Sequence, residues 1–388
     1  MAICGVICEY DPFHLGHEKQ FSAIRQKLGT ETVIVCLMSG NFTQRGMPAV
    51  FDKTVRAKAA VLCGADLVME LPVTAVLQSA EGFASAGVQI LTALGADYLS
   101  FGCECGDAER LIKAAALTLR PDFDAALREE MESGCSYAAA RQRTVTALGG
   151  DGSLLERPND ILALEYCRAI LKQKSPLRPL AMLRRGDYHA ETADEEEPSA
   201  TAVRALLKQG GEWRRFVPAA AAAVYAGATK YDLSCGERAA LARLRAMTDA
   251  EWASVPHGSE GLWSKTMKAA RQEGSVEEIL AAAKSKRYPQ TRLQRLLLCA
   301  YLGISAEDLK QPIPYVRALG FDAAGQAALK AAKKRGSIPV VNAGERPENG
   351  EYYALECRAG RLFDLFAEPD RNNAPCFEEN CRIFQKKF

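Results

Sequence analysis

The strongest constraint on the fold of this chain is the regular alternation of strand-like and helix-like segments in its first hundred residues. The strand-like segments are residues 3–8, 32–38, 65–71 and 97–101, and the helix-like segments are residues 17–28, 52–63 and 79–94. Continuous apolar runs of this length are typical of parallel strands that are covered on both faces. Their alternation with helices indicates βαβ units, so we expect an α/β fold with a Rossmann-like doubly wound parallel sheet.

The pattern changes after about residue 199 to alanine-rich and leucine-rich helical segments. These segments are residues 217–226, 236–247, 262–271, 275–285, 290–302 and 323–334. We therefore predict an α/β domain over residues 1–205 and a mainly α-helical C-terminal domain over residues 206–388. The tail from residue 337 has a mixed pattern that predicts no particular element.

Composition narrows the class of protein. No segment approaches the ~20 consecutive apolar residues of a membrane helix, and the apolar start lacks the basic region of a signal peptide. Thirteen cysteines, an odd number without a secretion signal, predict reduced thiols in the cytoplasm. Cys103 and Cys105 lack the usual CxxC spacing of zinc sites, so we expect no metal site. Nothing in the sequence indicates an oligomeric state.

The net charge of +1 conceals an asymmetry between the two halves. Residues 1–205 contain 21 Lys and Arg against 27 Asp and Glu, whereas residues 206–388 contain 28 against 21. The basic half could therefore meet a polyanion, and chance segregation of solvated charges is the alternative.

The first strand runs directly into a turn with the sequence His14-Leu15-Gly16-His17. Ligands of parallel sheets bind beyond the carboxyl ends of the strands, where a helix amino terminus attracts anions. Gly16 lets a nucleotide approach the backbone closely. His14 and His17 lie on one side of the first helical turn and could donate hydrogen bonds to phosphate as pyrophosphate leaves.

Two other roles are open to these histidines, namely capping the helix or binding a metal. The chain has only four histidines, at positions 14, 17, 189 and 257, and two of them fall in this turn. Their place between a buried strand and a helix favours a nucleotide site with His14 and His17 as catalytic residues.

Several longer segments resemble one family. They are residues 9–14 (EYDPFH), 38–46 (MSGNFTQRG), 64–72 (GADLVMELP), 78–84 (QSAEGFA), 101–104 (FGCE), 157–160 (RPND), 184–189 and 199–204 (SATAVR). The turn resembles the HxGH motif of the nucleotidyltransferase superfamily. The wider set, over roughly residues 1–300, resembles the bacterial tRNA(Met) cytidine acetate ligase family, which implies a sheet of nucleotidyltransferase type.

The resemblance implies a two-step reaction. Acetate attacks the α-phosphate of ATP, giving acetyl-adenylate and pyrophosphate. The amine of the wobble cytidine of elongator tRNA(Met) then takes the acetyl group and AMP leaves, which yields N4-acetylcytidine. The implied partners are ATP, as Mg-ATP, together with acetate and that tRNA, without a tightly bound cofactor or a membrane.

The resemblance also implies an ATP-binding set. It comprises Ile7, Cys8, Glu9, Asp11, Pro12, Phe13, His14, Leu15, Gly16, His17, Gln20, Gly102, Asn159 and Arg184. Members of the family often have Asn at the position of Asp11 and His at that of Gln20. Spacing to the following Tyr188 leaves open whether Arg184 or Arg185 contacts ATP.

Two further segments suit the same chemistry. Ser199 begins a predicted helix that also holds Arg204, and a helix amino terminus with a guanidinium suits the β- and γ-phosphates; an ordinary serine N-cap is the alternative. The loop after the second strand has polar side chains that could contact the adenylate or the cytidine, or could simply be exposed polar residues. They are Ser39, Asn41, Gln44 and Arg45.

Basic residues and a tyrosine cluster between residues 264 and 295. The predicted tRNA-binding residues are Lys284, Lys286, Arg287, Tyr288, Arg292 and Arg295. Phosphates require a basic face, on which an aromatic ring can stack against an unpaired base. A merely solvated helix face is the alternative interpretation.

Two other functions remain open from the sequence. One is an adenylyltransferase acting on a small phosphorylated metabolite, although such chains are usually shorter. The other is a non-catalytic RNA-binding protein with a relict nucleotide site. No Arg-x-x-Gly-x-Gly loop of acetyl-CoA-dependent acetyltransferases is present.

Overall fold

The computed structural model describes residues 1–184, 199–285, 288–369, 375 and 377–386. Its strands are β1 Ile3–Cys8, β2 Val33–Ser39, β3 Leu67–Leu71, β4 Tyr98–Cys103, β5 Arg178–Leu183, β6 Val316–Phe321, β7 Val340–Asn342 and β8 Phe384–Gln385. Its helices in the first half are α1 Leu15–Leu28, α2 Lys53–Leu62, α3 Val73–Val76, α4 Ala80–Leu94, α5 Ala108–Leu117, α6 Phe123–Glu132, α7 Tyr137–Ala147, α8 Pro158–Gln173 and α9 Ala200–Gln209. The remaining helices are α10 Ala219–Tyr225, α11 Glu237–Ala246, α12 Asp249–Ser254, α13 Leu262–Gln272, α14 Val276–Ala283, α15 Gln290–Leu302, α16 Ala323–Arg335 and α17 Gly350–Asp364.

The described strands form one sheet in the order β5-β4-β1-β2-β3-β6-β7, and β8 pairs with β6. Strands β1 to β5 are mutually parallel, and the sequence predicted this arrangement for β1 to β4. Strands β2 and β3 lie on one side of β1, and β4 and β5 lie on the other. The strand order therefore reverses between β1 and β4, and such a topological switch point opens a crevice at the carboxyl ends of the two strands.

Both faces of the sheet are covered, which explains the continuous apolar strands. Val35 and Leu37 of β2 face the core built with α4 and α8, whereas Cys36 and Met38 face the core built with α1 and α2. All seven residues of β2 are buried. The sheet is therefore a rigid platform whose carboxyl edge positions the loops that follow each strand.

The second half of the chain is mainly helical, as predicted, but it also extends the sheet. Strand β6 pairs antiparallel with β3, and β7 and β8 pair with β6. The predicted boundary after residue 205 is therefore not a boundary of the sheet, and the division into two domains stays a prediction.

Among the described helices none is long and apolar enough to cross a membrane, and the described cysteines are all free.

A buried ionic network joins the C-terminal strands to the part of the sheet that is formed by β1 to β5. Lys53 Nζ lies 2.8 Å from Glu70 Oε1 and also pairs with Glu378. Arg317 lies 3.7 Å from Glu70, 3.3 Å from Glu378 and 3.2 Å from Glu356. Because both cations are about 1% exposed, each depends on these carboxylates to offset its desolvation.

Candidate active site

The HxGH turn caps helix α1 with its own two imidazoles. His14 is the N-cap residue, with extended backbone angles, and its Nδ1 accepts a hydrogen bond from the Gly16 amide at 3.1 Å. Nδ1 of His17 accepts from the His14 amide at 3.2 Å. The two rings stack with their centroids 3.7 Å apart. Helix capping and a nucleotide site are thus compatible roles of the same residues.

This capping pattern selects the chemical form of both rings. A nitrogen that accepts an amide hydrogen bond carries no proton, so a neutral ring has its proton on Nε2. Burial lowers the pKa of His14 to about 3, and the guanidinium groups of Arg184 and Arg204 add to the shift. Burial also lowers the pKa of His17 well below its usual value, with smaller effects from His14 and Arg184. Each neutral ring therefore has one Nε2 donor outside the cap.

The segment between β1 and α1 is held from three sides. Arg204 Nη1 donates to the Asp11 carbonyl oxygen at 2.6 Å, and the Val50 amide donates to Asp11 Oδ1 at 2.7 Å. The hydroxyl of Tyr225 on α10 accepts from the Phe13 amide at 2.9 Å. The turn is consequently fixed before any ligand binds, as preorganised donors require.

The end of β4 forms the second wall of the crevice. A Cβ atom added to Gly102 would meet nothing nearer than the Arg184 side chain at 3.9 Å, so the backbone there is open to a ligand. Gln20 of α1 donates to Ser100 Oγ on β4 at 3.2 Å, which ties the two walls together. Asn159 Nδ2 donates to Glu104 Oε1 at 2.7 Å.

Helix α9 brings its amino terminus to the same edge. Ser199 Oγ accepts from the Ala202 amide at 3.0 Å, so the serine is an N-cap as the sequence allowed. Arg204 lies one turn later and donates to Thr201 Oγ1 at 3.1 Å as well as to Asp11. The structure thereby brings the predicted phosphate-binding helix to the histidine turn. Arg185 lies outside the described residues.

The loop after β2 is more buried than its polar sequence indicated. Ser39 and Asn41 are 0% and 6% exposed, and Asn41 Oδ1 accepts from the Lys53 amide at 2.8 Å. Gln44 is half-buried; its amide donates to Glu9 Oε1 at 2.7 Å and its side chain donates to the Gln78 carbonyl at 3.2 Å. Ser39 and Asn41 are therefore not exposed loop residues: Ser39 is the buried last residue of β2, and Asn41 is buried just after it.

Arg56, which sequence reasoning missed, connects this loop to the histidine turn. It is 0% exposed, and its guanidinium donates to the Phe51 carbonyl at 2.9 Å and to the carbonyls of Glu9 and Gly40. One buried cation thus joins the carboxyl ends of β1 and β2. Arg56 occupies an ordinary helix position in the sequence, so only its long-range contacts identify it.

Arg295 lies in a different environment from the one that the sequence predicted. The sequence placed it on an exposed basic face with Arg292, but Arg295 is 8% exposed and its Nη1 donates to the Gln44 carbonyl at 3.2 Å. Burial lowers the pKa of Arg295 to about 10. Helix periodicity could not show that this side chain lies against the loop after β2. Arg295 therefore braces the loop instead of facing phosphates.

The other predicted tRNA-binding residues differ in their exposure. Lys284 is exposed. Arg292 is half-buried, donates to the His257 carbonyl at 2.9 Å and lies 4.6 Å from the centre of the Tyr288 ring. The Tyr288 hydroxyl donates to Glu260 at 2.6 Å. Lys286 and Arg287 lie outside the described residues, so their role stays a prediction.

Comparison with known proteins places this geometry in a family. A family model described as HIGH Nucleotidyl Transferase matches residues 1–375. A tRNA(Met) cytidine acetate ligase of Acetivibrio thermocellus is 33% identical over 368 residues, covering 88% of each chain. Another, from Ligilactobacillus salivarius, is 34% identical and covers 97% of this chain and 99% of its own.

Solved structures show the same similarity over the whole fold. The apo structure of Thermotoga maritima TmcAL superposes with a TM-score of 0.90 at 27% identity. The structure of that protein bound with alpha-thio ATP gives a TM-score of 0.88 at 28% identity. Both comparisons cover all of each chain. The neighbour with the ATP analogue supports an ATP site in this fold.

Proposed function

This chain belongs to the HIGH nucleotidyl transferase family and, within it, to the tRNA(Met) cytidine acetate ligases, and we propose which of its described residues act in each step of the reaction. It is an ATP-dependent ligase acting on tRNA(Met). In the first step a carboxylate oxygen of acetate attacks the α-phosphorus, the bond to the bridging oxygen breaks, and pyrophosphate leaves. In the second step the N4 amine of the wobble cytidine attacks the acetyl carbon, loses a proton, and AMP leaves.

The paired histidine cap is the observation that carries the proposal for the first step. Nδ1 of His14 and Nδ1 of His17 are occupied by backbone amides, so the two Nε2 donors are the groups left for phosphate oxygens. Negative charge grows on the departing pyrophosphate, and fixed donors stabilise it more than the ground state. His14 and His17 are therefore proposed as the catalytic residues.

The amino termini of α1 and α9 supply the remaining positive field. Residues 7–17 and Gln20 would enclose the nucleotide, with Gly102 of β4 and Asn159 in the first turn of α8. Arg204 and Ser199 lie at the start of α9 and would hold the β- and γ-phosphates. Arg184 adjoins the same wall, since its amide donates to the Cys103 carbonyl at 2.9 Å. Magnesium is proposed to arrive with ATP, bound to its phosphates.

The acceptor side of the site lies across the loop after β2. Gln44 and Arg45 are half-buried there and would contact the adenylate or the cytidine, whereas the buried Ser39 and Asn41 would support this loop. The exposed Lys284 and its neighbours Lys286 and Arg287 would contact tRNA phosphates, with Tyr288 as a stacking surface. We propose a cytoplasmic location, where ATP and tRNA are both available.

A half-reaction tests this assignment without RNA. The measurement is exchange of labelled pyrophosphate into ATP by the purified chain, with and without acetate. We expect exchange that requires acetate and that falls about 100-fold in His14→Ala. Exchange that is indifferent to acetate but responds to a phosphorylated metabolite would support the small-molecule adenylyltransferase instead. Absence of any exchange together with tRNA binding would favour a non-catalytic RNA-binding protein.

A further inference from the structure

Two thiols and a carboxylate converge at the end of β4, next to the proposed nucleotide wall. Cys103 is the last residue of the strand, Cys105 follows two residues later, and Asp160 lies in the first turn of α8. Their ligand atoms all lie within 4.8 Å of one another. Among the described residues this is the one group of three or more such side chains with that spacing.

The distances suit a tetrahedral metal ion. Cys103 Sγ and Cys105 Sγ are 3.9 Å apart. Two thiolates bound to zinc at ~2.3 Å with a tetrahedral angle are separated by about 3.8 Å. The sequence predicted no metal site because the CxC spacing is unusual, but the third ligand comes from a residue 55 positions away that only the fold brings near.

The surroundings hold the ligands in place. Asp160 is 3% exposed and its Oδ1 accepts from the Cys105 amide at 2.9 Å. Glu104, between the two cysteines, accepts from the Asp160 amide at 2.8 Å through Oε2. A carboxylate fixed by a backbone donor is the usual arrangement around protein metal ions. Cys103 is buried and Cys105 is half-buried, so the sulfur ligands are largely shielded from solvent.

We propose that Cys103, Cys105 and Asp160 form a binding site for a thiophilic divalent cation, with zinc as the best match. Two soft thiolates with one carboxylate favour zinc over magnesium or calcium. Three protein ligands leave a fourth position for water. Bound zinc would clamp the end of β4 to the start of α8, on the wall that holds Gly102 and Asn159.

Zinc binding by the full-length chain tests the site directly. Protein freed of metal with a chelator is titrated with zinc in competition with a chromogenic chelator, and separately with cobalt, whose thiolate absorption reports coordination. We expect one equivalent of zinc bound with a dissociation constant below about 1 µM, and a cobalt spectrum typical of tetrahedral sulfur ligation.

Variants identify the ligands. Cys105→Ser should weaken zinc binding at least about 100-fold, whereas Cys235→Ser, which removes an exposed thiol outside the cluster, should leave it unchanged. Asp160→Asn keeps an oxygen acceptor for the Cys105 amide and is a second test should the serine variant fold poorly. The proposal would be overturned if both variants bound zinc as tightly as the unaltered chain. It would also be overturned if the unaltered chain bound no zinc. Because the readout is metal affinity, its failure is separate from failure of the proposed reaction.

Discussion

At the scale of single residues, the protonation of two imidazoles decides what the site can do. Nδ1 of His14 and of His17 accepts a backbone amide, and burial lowers the pKa of both rings. Imidazolium cations would also attract phosphate, but here the protein presents neutral donors. Positive charge comes instead from Arg184, Arg204 and the helix amino termini.

The tautomers of these rings can be measured. In the chain without ATP, nitrogen NMR of labelled histidine should show His14 and His17 as neutral Nε2–H rings from pH 8 to pH 5.5. A depressed pKa means that the unfolded state binds protons first, so the stability from these neutral rings is present above about pH 6.5 and is lost as the pH falls towards 3. Titration of either ring with a midpoint near 6.5 would contradict the assignment.

A substitution can separate capping from catalysis at His14. Asparagine is among the best N-caps, so His14→Asn should keep the cap and change the free energy of unfolding by less than about 1 kcal/mol. It lacks the Nε2 donor, so acetate-dependent pyrophosphate exchange should fall about 100-fold. The His14→Ala variant should lose both properties. Full exchange activity in His14→Asn, with urea unfolding unchanged, would show that the ring serves only as a cap.

At the scale of elements, the sequence predicted the part of the site that lies within one continuous segment of the chain. Strand β1, the turn and helix α1 are contiguous, so apolar runs and residue types identified them. Arg56 and Tyr225 contact the turn from positions 47 and 212 residues away, and nothing local marks them. Strand β6 was missed because Arg317 interrupts its apolar run, and only the distant carboxylates make that arginine compatible with a buried strand.

Arg295 of α15 was misplaced for the same reason, because its contact with Gln44 joins distant parts of the chain. The helical periodicity of α15 was predicted, but periodicity does not say which neighbour covers a given face. Arg295 turned out to lie against the backbone of the loop after β2; a Cβ added to Gly46 would approach the Arg295 amide nitrogen to 2.5 Å. The loop after β2 and helix α15 are thus in close contact. This contact fixes the position of Gln44 and Arg45, the proposed acceptor residues, against the helical half of the chain.

Two substitutions distinguish the structural arginine from the proposed RNA-binding lysine. Lys284→Ala should reduce the slope of log tRNA affinity against log salt by about 0.7–0.9, since one phosphate contact is lost. Arg295→Ala should leave that slope unchanged while lowering the free energy of unfolding by about 1.5–3 kcal/mol, because a buried charged hydrogen bond is removed. A reduced slope with unchanged urea unfolding in Arg295→Ala would restore it to the RNA-binding face.

At the scale of the whole molecule, the buried ionic network holds the C-terminal strands on the sheet. Burial raises the pKa of Glu356 to about 7, and the carboxylates of Glu70 and Glu378 add to the shift against the opposing effect of Lys53 and Arg317. A raised pKa means that the folded chain favours the protonated acid. The stability it contributes is complete below about pH 4.5 and is lost as the pH rises through 7.

Glu356→Gln tests this pH dependence. Glutamine mimics the protonated acid and can still accept from the Tyr315 hydroxyl and from Arg317. We expect the urea midpoint of the variant to exceed that of the unaltered chain at pH 8, with a smaller difference at pH 5. If the variant is less stable than the unaltered chain, and by more at pH 8 than at pH 5, the fold favours the ionised carboxylate, and the pKa of Glu356 is not raised.

In the proposed mechanism, one crevice at the carboxyl edge of the sheet activates acetate and delivers the acetyl group to tRNA. The most direct measurement follows labelled acetate into tRNA(Met) with the purified chain and ATP, and then maps the labelled nucleotide. We expect label on the wobble cytidine that requires ATP, is accompanied by release of AMP, and is lost in His14→Asn. Label that enters the RNA without ATP, or that persists in His14→Asn, would contradict the proposed mechanism.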